Sequence, residues 1–113
     1  MQDEVQTKPR VYVVEQQPFD YSPAQVFGDP IFMEVQKLAP DSPGAGTTWN
    51  SKIMQQIRRE LNQYVPGLDY VVPTGAPAKL VAVGAVLKEK GPTHNILGWD
   101  AKTQRYLHYI LVL

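Results

Sequence analysis

Thr74-Gly75-Ala76-Pro77 stands between a strand-favouring apolar run, Leu68 to Val72, and a run that is apolar on nearly every face, Ala78 to Leu87. A glycine-bearing turn that ends a buried strand and opens a buried helix aims free backbone N–H groups at one point, near the positive end of the helix dipole. On this reading Thr74 caps the helix, the amides of Gly75, Ala76 and Ala78 face an anion, and Lys79 neutralises its charge. The same residues also read as a plain strand-to-helix connection, with Pro77 stiffening the first turn. The turn matches neither G-x-x-x-x-G-K-[ST] nor G-x-G-x-x-G.

A second constellation is Trp99-Asp100 facing Arg105-Tyr106 across the loop Asp100 to Gln104. Trp99 and Tyr106 can form a stacking platform for a base. Alternatively Asp100 accepts from its own turn, Arg105 pairs with it, and the aromatics stiffen a hairpin. His94 and His108 are the only histidines, and two ligands make no zinc site without a third. Each reads better as a histidine hydrogen-bonded on its own, so no metal or cofactor is expected. Ser22, Ser42 and Ser51 lack a nucleophile-elbow context, and no carboxylate pair converges on one bond. Lys52, Arg58 and Arg59 lie beside Glu60, which favours a solvated helix face over a phosphate site. An enzyme is the least favoured class.

Positioning these residues requires an α/β scaffold. Val11 to Val14 and Ile31 to Val35 read as strands, the latter with Ile31, Met33 and Val35 on one face. Between them Ser22, Pro23 and Gln25 form a helix-start signature that Gly28 ends, with Val26 and Phe27 pinning the loop to the core. Ile53, Ile57, Leu61 and Tyr64 put one stripe of a helix over 48–64 on the core. The strand before Thr74, the buried helix after it, and strands over 94–99 and 105–113 complete the order β-β-α-β-α-β-β. The expectation is a single α/β domain over 11–113, behind a flexible arm over 1–10. Its mixed sheet has four to five strands and two main helices, and strands three and four are parallel. The loop over 39–47 reads as an insertion or a lid. A helix apolar all round needs cover on more than one side, which a second subunit would supply, and Gly84 suits a close approach.

With 113 residues the chain fits one domain, and 43% apolar residues support a core. Eleven basic and eleven acidic residues cancel, which argues against duplex nucleic acid or an anionic membrane as partner and favours self-association. Without cysteine there are no disulfides, thiolate metal sites or Cys nucleophiles. The first residues are polar and acidic, unlike a signal peptide, and the run Leu80 to Leu87 is too short to span a bilayer. A cytoplasmic homo-oligomer is therefore expected.

The stretch 68–100, with Thr74-Gly75 between strand and buried helix, resembles the second half of CRISPR-associated Rossmann-fold (CARF) sensor domains, which bind cyclic oligoadenylates over a turn of Thr-Gly-Gly-Thr type. Ala76 and Pro77 replace the second Gly and Thr of that pattern. More of the chain is similar to a family of small tailed-phage proteins. The matching residues are Phe19-Asp20-Tyr21-Ser22-Pro23-Ala24 with Phe27-Gly28, then Asp69 to Pro77, then Asn95 to Asp100 with Arg105-Tyr106. This resemblance implies a phage setting, hence the host cytoplasm, and leaves the biochemistry open. The leading expectation is a non-enzymatic phage accessory protein that binds a small anionic ligand, such as a host signalling nucleotide that it sequesters. Its site would comprise Thr74, Gly75, Ala76, Ala78 and Lys79, flanked by Trp99 and Tyr106. The first alternative is an interaction module that redirects a host enzyme, docking through its Pro-rich loops and the apolar segment Tyr109 to Leu113. The second is a virion or assembly component.

Overall fold

The computed structural model describes residues 8–35 and 51–113. Strand β1 (Arg10–Val13) leads through a 3₁₀ turn (Ser22–Val26) to β2 (Asp29–Phe32). Helix α1 (Ser51–Glu60), β3 (Tyr70–Val72), helix α2 (Pro77–Lys90), β4 (Thr93–Asp100) and β5 (Arg105–Val112) follow. The expected element order holds, on one mixed five-stranded sheet ordered β2-β1-β3-β4-β5. β2, β1, β3 and β4 are mutually parallel, and β5 closes an antiparallel hairpin on β4.

The connections explain the layers. From β1 the chain moves to one side of the sheet, and from β2 it returns across β1 to β3 and onward to β4. Right-handed crossovers made in opposite directions fall on opposite faces. Accordingly α1 and α2 share one face, where Ile53, Ile57, Leu61, Val83, Val86 and Leu87 pack on Tyr12, Val14 and Val71. The other face carries the 3₁₀ segment, whose Tyr21 and Ala24 pack on Val11, Val13, Val72, Leu97 and Tyr106. The chain therefore leaves the carboxyl ends of β1 and β3 in opposite directions, and a crevice opens between them.

Two buried polar knots tie the opposite end. Asp69 is fully buried and accepts from the backbone N–H of Arg10 (2.9 Å) and of Val65 (2.8 Å), joining β1, the α1–β3 loop and β3. His94 is also fully buried. Its Nε2 lies 2.8 Å from the Gly91 carbonyl, which can only accept, so Nε2 carries the proton and Nδ1 accepts from the Tyr64 hydroxyl at 2.6 Å. Burial pushes the Tyr64 hydroxyl well above the ordinary tyrosine range, which keeps it a donor.

Several local expectations are corrected. Thr48 and the loop over 39–47 lie outside the described residues, as do residues 1–7 of the expected arm. Arg10 already belongs to β1, and the Pro9 carbonyl accepts from Asp29 N–H at 3.1 Å. Strand β2 starts earlier, at Asp29, and ends at Phe32. Met33 and Val35 are buried as expected, but Ile31 on the sheet edge is 37% exposed. Ser22 caps nothing: Tyr21 holds the N-cap position with no side-chain bond, and Asp20 Oδ1 accepts from Ser22 N–H instead. Val26 is 82% exposed, so Tyr21 and Ala24, helped by Phe27 against Tyr70, pin that loop. A Cβ added at Gly84 meets nothing within 4 Å, and Val81 is exposed, so the outer flank of α2 has no close neighbour among the described residues.

Candidate functional site

The crevice between β1 and β3 is where the Thr74–Lys79 turn lies, and the chain fills it from within. Glu15 lies two residues past the end of β1 and places its carboxylate against the first turn of α2. Its Oε1 lies 2.7 Å from Lys79 Nζ, and its Oε2 accepts from Gln17 Nε2 at 2.8 Å. The Thr74 hydroxyl donates to the Glu15 carbonyl at 2.6 Å. Thr74 therefore does not cap α2: the N-cap position is Ala76, with no side-chain bond. Lys79 is buried, and its charge is matched by Glu15 rather than offered to solvent. Gly75 is required twice over, by a φ of +120° and because a Cβ there would lie 2.7 Å from Glu15 Cβ and 2.9 Å from its Oε1.

Beside this corner, at the carboxyl ends of β3 and β4, lies a cleft of about 550 Å³. It is lined by Pro18, Phe19 and Asp20 from the loop after β1, by Pro23 of the 3₁₀ segment, and by Trp99, Gln104 and Tyr106 from the β4–β5 hairpin. Val72, Pro73, Thr74, Leu97 and Gly98 form the floor and rim. Trp99 and Tyr106 are cross-strand partners with ring centroids 5.1 Å apart at 68°, so the buried Tyr106 holds the half-exposed Trp99 edge-on. Hydrogen bonds from the Ser22 amide and hydroxyl hold the Asp20 carboxyl below the usual carboxylate range. Burial raises the Tyr106 hydroxyl, and its electrostatic coupling to Tyr21 and to the Asp20 carboxylate raises it further. No Lys, Arg or His lines the cleft among the described residues.

Of the residues expected to form one site, the structure brings Thr74, Trp99 and Tyr106 together in this cleft. Gly75 and Ala76 lie beyond Thr74 on a shallow neighbouring surface shared with Glu15, Gln17 and Phe19. Ala78 and Lys79 line neither. Sequence reasoning missed Glu15, Phe19 and Asp20 as part of this region. The available signal was a carboxylate placed just past the first parallel strand, where α/β sheets open their crevice.

The other candidates resolve into structural roles. Asp100 accepts from Lys102 N–H at 3.3 Å and from the Thr103 hydroxyl at 2.6 Å, which lowers its carboxyl as a turn-forming group. His94 packs with Tyr64 on the helix face, whereas His108 lies against Tyr70 on the other face with its Nε2 2.8 Å from Asn95 Oδ1. Arg58 is committed to Glu89 through two contacts of 3.0 and 2.9 Å that clip α1 to α2. Among the described residues no three His, Cys, Asp or Glu side chains converge as metal ligands would. No helix among them is long and apolar enough to cross a membrane.

A second surface is the outer side of β5, which among the described residues pairs with β4 alone. Tyr109, Ile110, Leu111, Val112 and Leu113 are all exposed, Ile110 at 64% and Val112 at 71%. Alternation turns Tyr109 toward the α2 side, where its ring lies 2.9 Å from a Cβ placed on Gly98, and Ile110 and Val112 toward the opposite face. Four consecutive exposed apolar residues end an eight-residue strand whose outer side is unpaired among the described residues, with Leu113 beyond them, an arrangement that sheet edges normally avoid.

No curated protein and no solved structure matches this chain. The CARF resemblance finds no support in these comparisons. One family does match, over residues 9–112, which takes in β1, the cleft, both helices and nearly all of the exposed edge. The chain belongs to the Phage Pam3 gp32-like protein family.

Proposed function

We propose that this phage protein is a non-enzymatic interaction module that docks another protein along β5. The observation carrying this reading is the run Tyr109 to Leu113, exposed on both faces of a strand that has no second neighbour among the described residues. An added strand would satisfy the open N–H and C=O groups while alternate side chains set specificity. The partner is a protein of the infected host or of the phage particle. Recovery of the protein in purified particles assigns the second, and its absence there the first.

The alternative of a small anionic ligand, such as a sequestered host nucleotide, has less support at the Thr74–Lys79 turn, because Glu15 lies against Gly75 and neutralises Lys79. Thermal-shift screening against mono-, cyclic and dinucleotides tests it, and stabilisation by any of them would restore that reading. The docking reading is tested with Ile110→Lys combined with Val112→Lys. Both sites are solvent-facing, so the fold should melt within about 1 kcal/mol of wild type. A partner co-purifying stoichiometrically with the wild type from infected cells should be lost. Retention of that partner by the double variant would refute the proposal.

A further inference from the structure

The cleft between Phe19-Asp20 and Trp99 is separate from the β5 edge and carries its own chemistry. Its volume of about 550 Å³ is that of a small-molecule site. Its walls are aromatic rings and prolines, and its one ionisable carboxylate is Asp20. We infer that this cleft seats a compact organic cation, a guanidinium or alkylated ammonium group, against the Trp99 ring and the Asp20 carboxylate.

Three observations favour a cation over an anion. First, among the described residues the lining holds no basic side chain, and the nearby Lys79 is already paired with Glu15, so none of them compensates a phosphate. Second, Asp20 is ionised at neutral pH, its carboxyl lowered by the hydrogen bonds from Ser22, and its charge reaches Tyr106 across the cleft. Third, Trp99 is 46% exposed yet held edge-on by Tyr106, leaving indole surface available to a cation. Arg105 does not reverse this balance, since alternation along β5 sends it to the face opposite Tyr106. Gln104 and Thr74 add neutral hydrogen-bonding groups at the rim that can orient a guanidinium.

The test titrates the full chain with agmatine, choline and N-acetyl-argininamide, with AMP as the anionic counter-probe. Trp49→Phe leaves Trp99 as the only indole, so its fluorescence reports the cleft, and calorimetry reads the variants. At least one cationic probe should bind with millimolar or better affinity and quench Trp99, while AMP does not. Binding of agmatine or choline assigns a free small molecule, and binding of N-acetyl-argininamide alone assigns an arginine presented by a polypeptide. Asp20→Asn and Trp99→Leu should each weaken binding roughly tenfold. Both sites are at the surface, and an unchanged melting temperature separates lost binding from lost folding. No cation binding up to 10 mM, AMP binding in preference, or binding indifferent to both substitutions would overturn the inference.

Discussion

The Lys79 ammonium lies 2.7 Å from Glu15 Oε1 at the point where the chain leaves β1 and β3 in opposite directions. Sixty-four residues separate the two in sequence. Their pairing places a carboxylate of the chain itself where an α/β sheet would ordinarily receive a ligand's negative charge.

Removing that carboxylate should expose what it occupies. Glu15→Ala leaves a largely buried lysine uncompensated and should destabilise the fold by about 3 kcal/mol in urea denaturation. Combining Glu15→Gln with Lys79→Met should cost less than the sum of the single changes. Millimolar phosphate should raise the melting temperature of Glu15→Ala and leave that of the wild type unchanged. Equal stabilisation of both by phosphate would mean that the native corner is open to anions.

Two glycines should respond in opposite directions. Gly75→Ala meets both a positive φ and the Glu15 side chain, and should lose about 2 kcal/mol or more. Gly84→Ala lies inside α2 with open space around its missing Cβ, and should gain roughly 0.5–1 kcal/mol from helix propensity. Thermal melts of the two variants against wild type check both signs.

The alkaline limb of stability should belong largely to Tyr64. Burial holds its hydroxyl well above the ordinary tyrosine range when folded, so above about pH 10 the unfolded chain releases that proton while the native chain keeps it. Stability is therefore complete below that value and declines as pH rises beyond it. Tyr64→Phe should flatten this decline. It should also cost about 1–2 kcal/mol at pH 7, because His94 Nδ1 loses its donor inside the core. Urea midpoints at pH 7 and 10.5 for both proteins measure the two effects.

Much of the scaffold is legible in the residues because local signals agree there. Val11 to Val14 is a compact β-favouring run, the Ile53-Ile57-Leu61-Tyr64 stripe repeats at helical spacing, and the unit from Leu68 to Trp99 is divided by its Pro- and Gly-bearing breaks at 73–77 and 91–92. Their sequence separation alone makes β3 and β4 parallel. The hairpin is equally local, and Trp99 and Tyr106 meet as its spacing predicts. What escapes is what long-range packing decides. The contact of Glu15 with Gly75 and Lys79 spans about sixty residues, and a carboxylate just past the first strand marks the crevice without naming its distant partners. Helix α2 looks apolar all round because hydropathy cannot tell Val83, which is buried, from Val81, which is exposed. Lys79 is the reverse case, a charge drawn into the packed side by its partner.

The docking account is tested most directly by a photo-reactive side chain on β5. A benzoyl-phenylalanine at position 110, on the exposed edge, is compared with one at position 26, which is at least as exposed but sits on the 3₁₀ segment. In infected cells the edge position should trap one discrete protein partner that the control position does not, and adding Val112→Lys to the same chain should abolish the adduct. Equal trapping at both positions, or an adduct indifferent to Val112→Lys, would contradict the assignment of β5 as the docking edge.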